Sequence, residues 1–239
     1  MPWLGVSPGG CWLDVACGTG ALTAAIVAHA EPGHVDAIDR SDRQIADARR
    51  SLADSRVSFE VGDACSVGRG VSYDAVVAGL AFPAVSDHAG ALAEFASVAR
   101  PGGLVGAYVW DFGGLMEPLK YFWEVATVLE PGADEPDDES FAICKPEGLR
   151  AALLAAGLTD VVVEPVDEIA RFVDFDDYWA PFLSGDAPGQ QHAQSLSPER
   201  RAELRERLRA SLPVAADGSI SLRLRAWAGK GATRRRPES

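Results

Sequence analysis

An apolar strand that runs straight into two glycines one residue apart constrains the folding of this chain more than any other feature. Residues Cys11 to Ala16 (CWLDVA) read as a compact strand, Gly18 and Gly20 as a tight Gly-x-Gly turn, and Ala21 to Ala30 (ALTAAIVAHA) as the helix that follows. Glycine lacks a Cβ, so a ligand can come close to the backbone there. A helix N-terminus adds free N–H donors and a positive dipole end, which suit a carboxylate or phosphate. Strand, turn and helix in this order open a βαβ unit, and βαβ units build parallel sheets.

The first half of the chain continues the pattern. Pro32-Gly33 stops the first helix, and His34 to Asp39 is the next strand. Asp42 to Ser51 is a polar helix with Ile45, Ala48 and Leu52 at helical spacing. Val57 to Val61 and Asp74 to Ala78 are strands three and four, Ala89 to Ala99 a helix, and Leu104 to Trp110 a fifth strand. The strands are apolar on both faces, as a sheet covered by helices on both sides requires.

The second half reads differently. Gly113 to Ser140 holds the aromatic run Tyr121, Phe122 and Trp123, and then the acidic loop Asp134 to Glu139. Pro146 to Ala156 is a helix with Leu149, Leu153 and Leu154 on one face and Gly157 at C′. Val161 to Val163 is a sixth strand, and Phe172 to Leu183 is aromatic again (Phe175, Tyr178, Trp179, Phe182). Ser197 and Pro198 fit N-cap and N1 of a charged helix whose inward stripe is Leu204, Leu208 and Leu212. Asp217-Gly218 is a turn before a last strand, Ile220 to Ala228.

With 239 residues the chain suits one large α/β domain or one domain with an insert. The expected division is a first half over 1–111, a second half with cap-like inserts over 112–218, a last strand over 219–229 and a basic tail over 230–239. A net charge of −13 disfavours a nucleic-acid partner, which needs a cationic surface. The basic cluster Arg234, Arg235 and Arg236 reads as a solvated tail. No apolar run approaches a membrane span. Residues 1–10 lack the regions of a signal peptide, and the four cysteines form no CxxC pair, so the expected location is cytoplasmic with reduced thiols. The four histidines are scattered without metal-ligand spacing, and no metal is expected.

The chemistry-bearing residues cluster at strand ends. A dinucleotide fingerprint needs a third glycine three residues after the second, and that position here is Thr23. Asp39 ends the second strand in Ala37-Ile38-Asp39-Arg40-Ser41, where a carboxylate can accept both hydroxyls of a ribose. Gly62-Asp63-Ala64 follows the third strand, and Ala99-Arg100-Pro101-Gly102-Gly103 leads into the fifth. Asp14 could equally be a turn or capping acid, Asp39 an N-cap and Asp63 a loop acid. Cys17 reads as a small turn residue rather than a nucleophile.

Leu13-Asp14-Val15-Ala16-Cys17-Gly18-Thr19-Gly20 closely resembles motif I of class I S-adenosylmethionine-dependent methyltransferases, and the other elements fall in that family's order. The central part is similar to the ubiquinone/menaquinone-biosynthesis type and its small-molecule relatives. The resemblance implies an α/β, Rossmann-like, doubly wound sheet of about seven strands, mostly parallel with the last antiparallel, plus a helical and aromatic insert. It implies S-adenosylmethionine as cofactor, S-adenosylhomocysteine as product, and cofactor contacts from Asp14, Ala16, Cys17, Gly18, Gly20, Asp39, Arg40, Asp63 and Ala64. Asp63 would bond the adenine amino group, with the next N–H reaching the ring. A branched side chain at Gly20 would occupy the cofactor's place.

The expected acceptor is a small molecule, aromatic or apolar if Tyr121–Trp123 and Phe175–Phe182 cap it; the competing reading of those rings is a plain core. The candidates for orienting or deprotonating it are His88, after the fourth strand, and Asp111, at the end of the fifth. The N/D-P-P-Y signature of amino-directed nucleic-acid methyltransferases is absent, and the stretch reads Gly79-Leu80-Ala81-Phe82-Pro83. Relatives carry a lid helix before motif I, whereas ten residues precede Cys11; either the start is short or the insert supplies the lid. The rival functions are a non-catalytic S-adenosylmethionine- or S-adenosylhomocysteine-binding protein and a nucleotide-dependent oxidoreductase. Oligomeric state has no sequence signal.

Overall fold

Seven strands carry the scaffold: β1 (Cys11–Val15), β2 (His34–Asp39), β3 (Val57–Val61), β4 (Tyr73–Ala78), β5 (Ala99–Trp110), β6 (Thr159–Phe172) and β7 (Ile220–Ala232). The computed structural model describes residues 2–68, 70, 72–133, 142–185 and 187–235. The acidic loop Asp134 to Glu139 and Arg236 of the basic cluster lie outside the described residues. The helices are α1 (Ala21–His29), α2 (Asp42–Ser51), α3 (His88–Val98), α4 (Glu117–Leu129), α5 (Pro146–Ala155), α6 (Phe175–Trp179), α7 (Pro188–Ser195) and α8 (Pro198–Ser211).

The strands form one sheet in the order β3-β2-β1-β4-β5-β7-β6. β1 pairs in parallel with β2 and β4, β2 with β3, and β4 with β5. β7 is antiparallel to β5: Thr233 N–H donates to Gly103 C=O at one end, and Asp111 N–H donates to Arg225 C=O at the other. This is the mostly parallel, Rossmann-like sheet expected from the sequence. Trp12, Leu13, Asp14 and Val15 are all fully buried in succession, which requires cover on both faces of β1.

The chain divides into two compact units. The first comprises Met1–Val109, Ile143–Pro165 and Trp227–Ser239, and the second Trp110–Ala142 and Val166–Ala226. In the first unit, Ile26 of α1 packs with Trp12, Val35, Ala75, Val77 and Leu4. Ile45 and Ala48 of α2 pack with Ala37, Phe59 and Cys17. Both helices therefore use the β2 face that carries Val35 and Ala37. α3 and α5 pack against each other.

α5 corrects one reading. Leu149 and Leu153 are fully buried, whereas Leu154 is 53% exposed. Five residues after Leu149, Leu154 points about 140° away around the helix, and so leaves the inner face. Gly157 does hold the left-handed C′ conformation (φ 81°), and its N–H donates to Leu154 C=O.

The second unit is built on rings. Phe122, Trp123, Phe175, Tyr178, Trp179 and Phe182 are buried with Leu204, Leu208, Leu212, Ile220 and Leu222. Phe122 and Phe182 stack at 4.4 Å, and the Tyr178 hydroxyl donates to Pro118 C=O at 2.8 Å. Of the two readings of these aromatics, cap or core, the structure shows a core. Ser197 caps α8 by accepting from Arg200 N–H, and Asp217-Gly218 turns the chain into β7. Among the described residues no helix is long and apolar enough to cross a membrane.

Candidate functional site

All but one of the expected site residues lie in the first unit, and all of these except His88, which begins α3, sit at or just beyond the C-terminal ends of adjacent strands. Register aligns Val15 with Ile38 and Ala78, and Asp39 with Val61. Ala16–Gly20, Asp39 and Asp63 therefore sit side by side along one edge of the sheet. The strand order reverses between β1 and β4, the place where open α/β sheets bind ligands.

The glycine loop is held by its neighbour strand. Cys17 N–H donates to Ile38 C=O at 2.9 Å, and Gly20 N–H closes a turn on Cys17 C=O at 2.9 Å. Gly18 N–H donates to Asp39 Oδ2 at 2.9 Å, while Ser41 N–H donates to Asp39 Oδ1 at 2.9 Å. Asp39 thus anchors the loop to β2, and Ser41 is the N-cap of α2. Each Asp39 oxygen accepts one N–H here and has a second lone pair to offer a ligand. Arg40, next along, is exposed.

The loop contains three left-handed residues: Ala16 (φ 55°), Gly18 (56°) and Gly20 (86°). A non-glycine residue at such φ stores strain and is characteristic of functional turns. The glycines have different surroundings. A Cβ at Gly18 would meet nothing within 4 Å, whereas one at Gly20 would lie 3.2 Å from the Phe59 ring and 3.4 Å from Ala48. Gly18 therefore borders open space. Gly20 is needed for packing of the loop on α2 and β3, so a branched side chain there strikes the core first, contrary to the sequence expectation.

Asp14 lies beneath the loop with no exposed surface. Its Oδ2 accepts from the Thr23 hydroxyl at 2.6 Å, and its Oδ1 is buried with no hydrogen-bond partner. Burial pushes its carboxyl up to about 7; the Thr23 bonds oppose that shift and the Asp39 charge adds to it. Thr23, where a dinucleotide fingerprint has its third glycine, is buried and engaged with this acid. Burial, reinforced by Asp14 and Asp39, also pushes the Cys17 thiol up, so it stays protonated and unreactive.

Asp63 is exposed and accepts from Cys65 N–H at 2.7 Å; Ala64 is half-buried in the same turn. Gly62 N–H donates to Asp39 C=O, tying the two strand ends together. His88 begins α3 directly after its N-cap Asp87. Its Nε2 lies 3.3 Å from Pro83 C=O, and its ring packs on Phe82. Asp111 belongs to the second unit. It is buried, and its Oδ2 accepts from Leu115 N–H at 3.0 Å, closing a turn with Gly114. Tyr108 of β5, which the sequence reading missed, lies against Gly79: its hydroxyl would be 3.1 Å from a Cβ there. A lone tyrosine in an apolar strand gives no sequence signal, because only the sheet register sets it opposite the residue after β4.

Comparison with known proteins agrees with this layout. Residues 13–103 match the family model of the methyltransferase domain. Comparison with curated protein sequences yields no match. Among solved structures, a Bacillus halodurans protein described as a methyltransferase superposes with a TM-score of 0.63 at 18% identity, covering 98% of this chain and 96% of that one. One from Anaeromyxobacter dehalogenans, described as a type II methyltransferase, gives 0.66 at 22% identity, covering 98% and 94%. The Haemonchus contortus phosphoethanolamine N-methyltransferase 2 solved with S-adenosyl-L-methionine gives 0.54 at 16% identity, covering 96% of this chain and 50% of that one. These likenesses are of fold, and the family match is coarser than the ubiquinone/menaquinone type. Residues 13–103 thus match a methyltransferase domain, and the sheet that carries them has the fold of these methyltransferase structures.

Proposed function

We propose that this protein transfers the methyl group of S-adenosylmethionine to a small-molecule acceptor by in-line displacement, releasing S-adenosylhomocysteine. The observation that carries the reading is the Gly18–Asp39 pair: an open-sided glycine in a strained loop, fixed by a carboxylate with lone pairs to spare. The residues fit the cofactor. The space beside Gly18 admits close approach of a ligand to backbone, and the buried Asp14 Oδ1 marks a polarity that the described protein atoms leave unmatched.

When bound, the cofactor supplies a sulfonium methyl already primed for displacement. The chain's part is placement. Asp39 accepts the ribose hydroxyls, with Arg40 beside it, while Asp63 and the Ala64 N–H take the adenine edge. Ala16, Cys17, Gly18 and Gly20 shape the loop, and Asp14 supports it from below. We read His88 as the residue that orients an acceptor or takes its proton. Asp111 Oδ2 accepts from Leu115 N–H within its own turn, so we read it as structural. The acidic charge supports an acceptor other than nucleic acid.

Calorimetric titration tests the cofactor half of this reading. S-adenosylhomocysteine should bind in the micromolar range and NADH should not; the reverse preference would return the chain to the oxidoreductases. A screen of small acceptors then separates an enzyme from a binding protein. By-product should accumulate only when an acceptor is present. Cofactor binding with no turnover across hydroxyl, amine, thiol and carbon acceptors would favour the non-catalytic reading, which the engagement of Asp111 elsewhere makes worth testing.

A further inference from the structure

The β5 residue Tyr108 has a role that the cofactor reading leaves unassigned. Register continues from the pair Ala78 and Ala107, which sets Tyr108 beside Gly79, the first residue beyond β4. Tyr108 is half-buried, and its ring and hydroxyl fill the space that a side chain at Gly79 would take, at 3.1–3.3 Å. Its hydroxyl has no hydrogen-bond partner among the described residues. On its own strand it shares a face with Gly106, where a Cβ would touch Leu4. That is the face used by α1, the helix that leaves the glycine loop.

The strand order says which part of a ligand this hydroxyl would meet. β2 and β3, with Asp39 and Asp63, lie on one side of β1; β4 and β5 lie on the other. A cofactor whose ribose and adenine occupy the β2 and β3 ends must extend its amino-acid end toward β4 and β5. That end carries a carboxylate, and the side chains at the ends of β1, β2 and β3 are themselves acids: Asp14, Asp39 and Asp63. A carboxylate there needs donors without an added negative charge. A neutral phenol is such a donor.

We propose that the Tyr108 hydroxyl donates a hydrogen bond to the cofactor's amino-acid carboxylate, so that Tyr108 is a cofactor-binding residue. The inference rests on the cofactor reading above. Burial and the nearby Asp14 charge hold the phenol's proton more tightly than usual, which keeps it a donor and excludes it as a base. Gly79 belongs to the same device, because the phenol occupies the space its missing side chain leaves.

The test titrates two ligands into the unaltered chain and into Tyr108→Phe, which keeps the ring and the packing. The ligands are S-adenosylmethionine and its decarboxylated form, which lacks only the carboxylate. Loss of a hydrogen bond to a charged group should weaken S-adenosylmethionine by about tenfold or more and leave the decarboxylated ligand unchanged. Equal weakening of both ligands, or of neither, overturns the assignment while the cofactor site stands. If the unaltered chain binds neither ligand, the cofactor reading itself fails and Tyr108 falls with it. Gly79→Ala, which crowds the phenol without removing it, should show the same ligand-selective loss in weaker form; equal losses for both ligands would count against the proposal.

Discussion

Asp14 ties a single residue's burial to the stability of the whole chain. Its carboxyl titrates near 7 in the folded protein and near ~3.9 when unfolded. Between those values the folded state holds a proton that the unfolded state has released, so rising pH favours unfolding. The loss is at most ~1.4 kcal/mol per pH unit, and it ends above the folded value. Asp54 has the opposite sign: its bonds to Arg56 hold it down to about 2, and that contribution is lost only as pH falls below the usual carboxylate range. The window from pH 5 to 7 therefore isolates Asp14. Asp14→Asn should remove the slope there, and denaturant unfolding at pH 5, 6 and 7 measures it; parallel slopes for both proteins would show that Asp14 ionises normally. The two loop glycines make a second contrast. Gly18→Ala meets only backbone strain of about 1–2 kcal/mol, but its methyl enters the open side, so cofactor affinity should suffer more than stability. Gly20→Val adds a collision with Phe59 and Ala48, typically about 1–3 kcal/mol more, so stability should suffer first. Unfolding and titration of both variants would expose a reversed order.

Among the elements, α8 shows a pattern readable in advance. Ser197 and Pro198 start it, and Leu204, Leu208 and Leu212 bury one stripe while its arginines and glutamates face outward. Leu208 is fully buried, so Leu208→Ala should cost about 2–5 kcal/mol, as seen in a denaturation midpoint. A cost below 1 kcal/mol would mean that the ring cluster closes over the gap. β6 shows the reverse case. The sequence reading found only Val161 to Val163, and the strand runs from Thr159 to Phe172. It is a sheet edge, mostly exposed, with Pro165, Asp167 and Glu168 within it. An edge strand wet on both faces has no alternation to read, and proline is tolerated there. α4 was hidden for another reason: its aromatic run signals burial without signalling helix.

For the whole molecule, the net charge of −13 is the property most exposed to test. The chain should fail to bind duplex DNA or RNA at about 10 μM and near-physiological salt, where non-specific binders with cationic surfaces are already retained. Fluorescence anisotropy with labelled oligonucleotides measures this, and salt-sensitive binding would reopen nucleic acid as the acceptor.

The sequence by itself determined the parallel sheet, the glycine loop and the strand-end acids, because these follow from local periodicity and from residues whose chemistry is tied to neighbours in the chain. It also placed the caps at Ser197 and Gly157, which are local devices. Tertiary structure decided what each residue does once strands meet. Register put Tyr108 beside Gly79, and packing gave Gly20 to Phe59 rather than to a ligand. Burial joined Asp14 to Thr23, the turn at Gly114 and Leu115 took up Asp111, and the two aromatic runs became one core. Each of these depends on contacts between residues far apart in the chain, and such pairings leave no periodic trace in a single sequence.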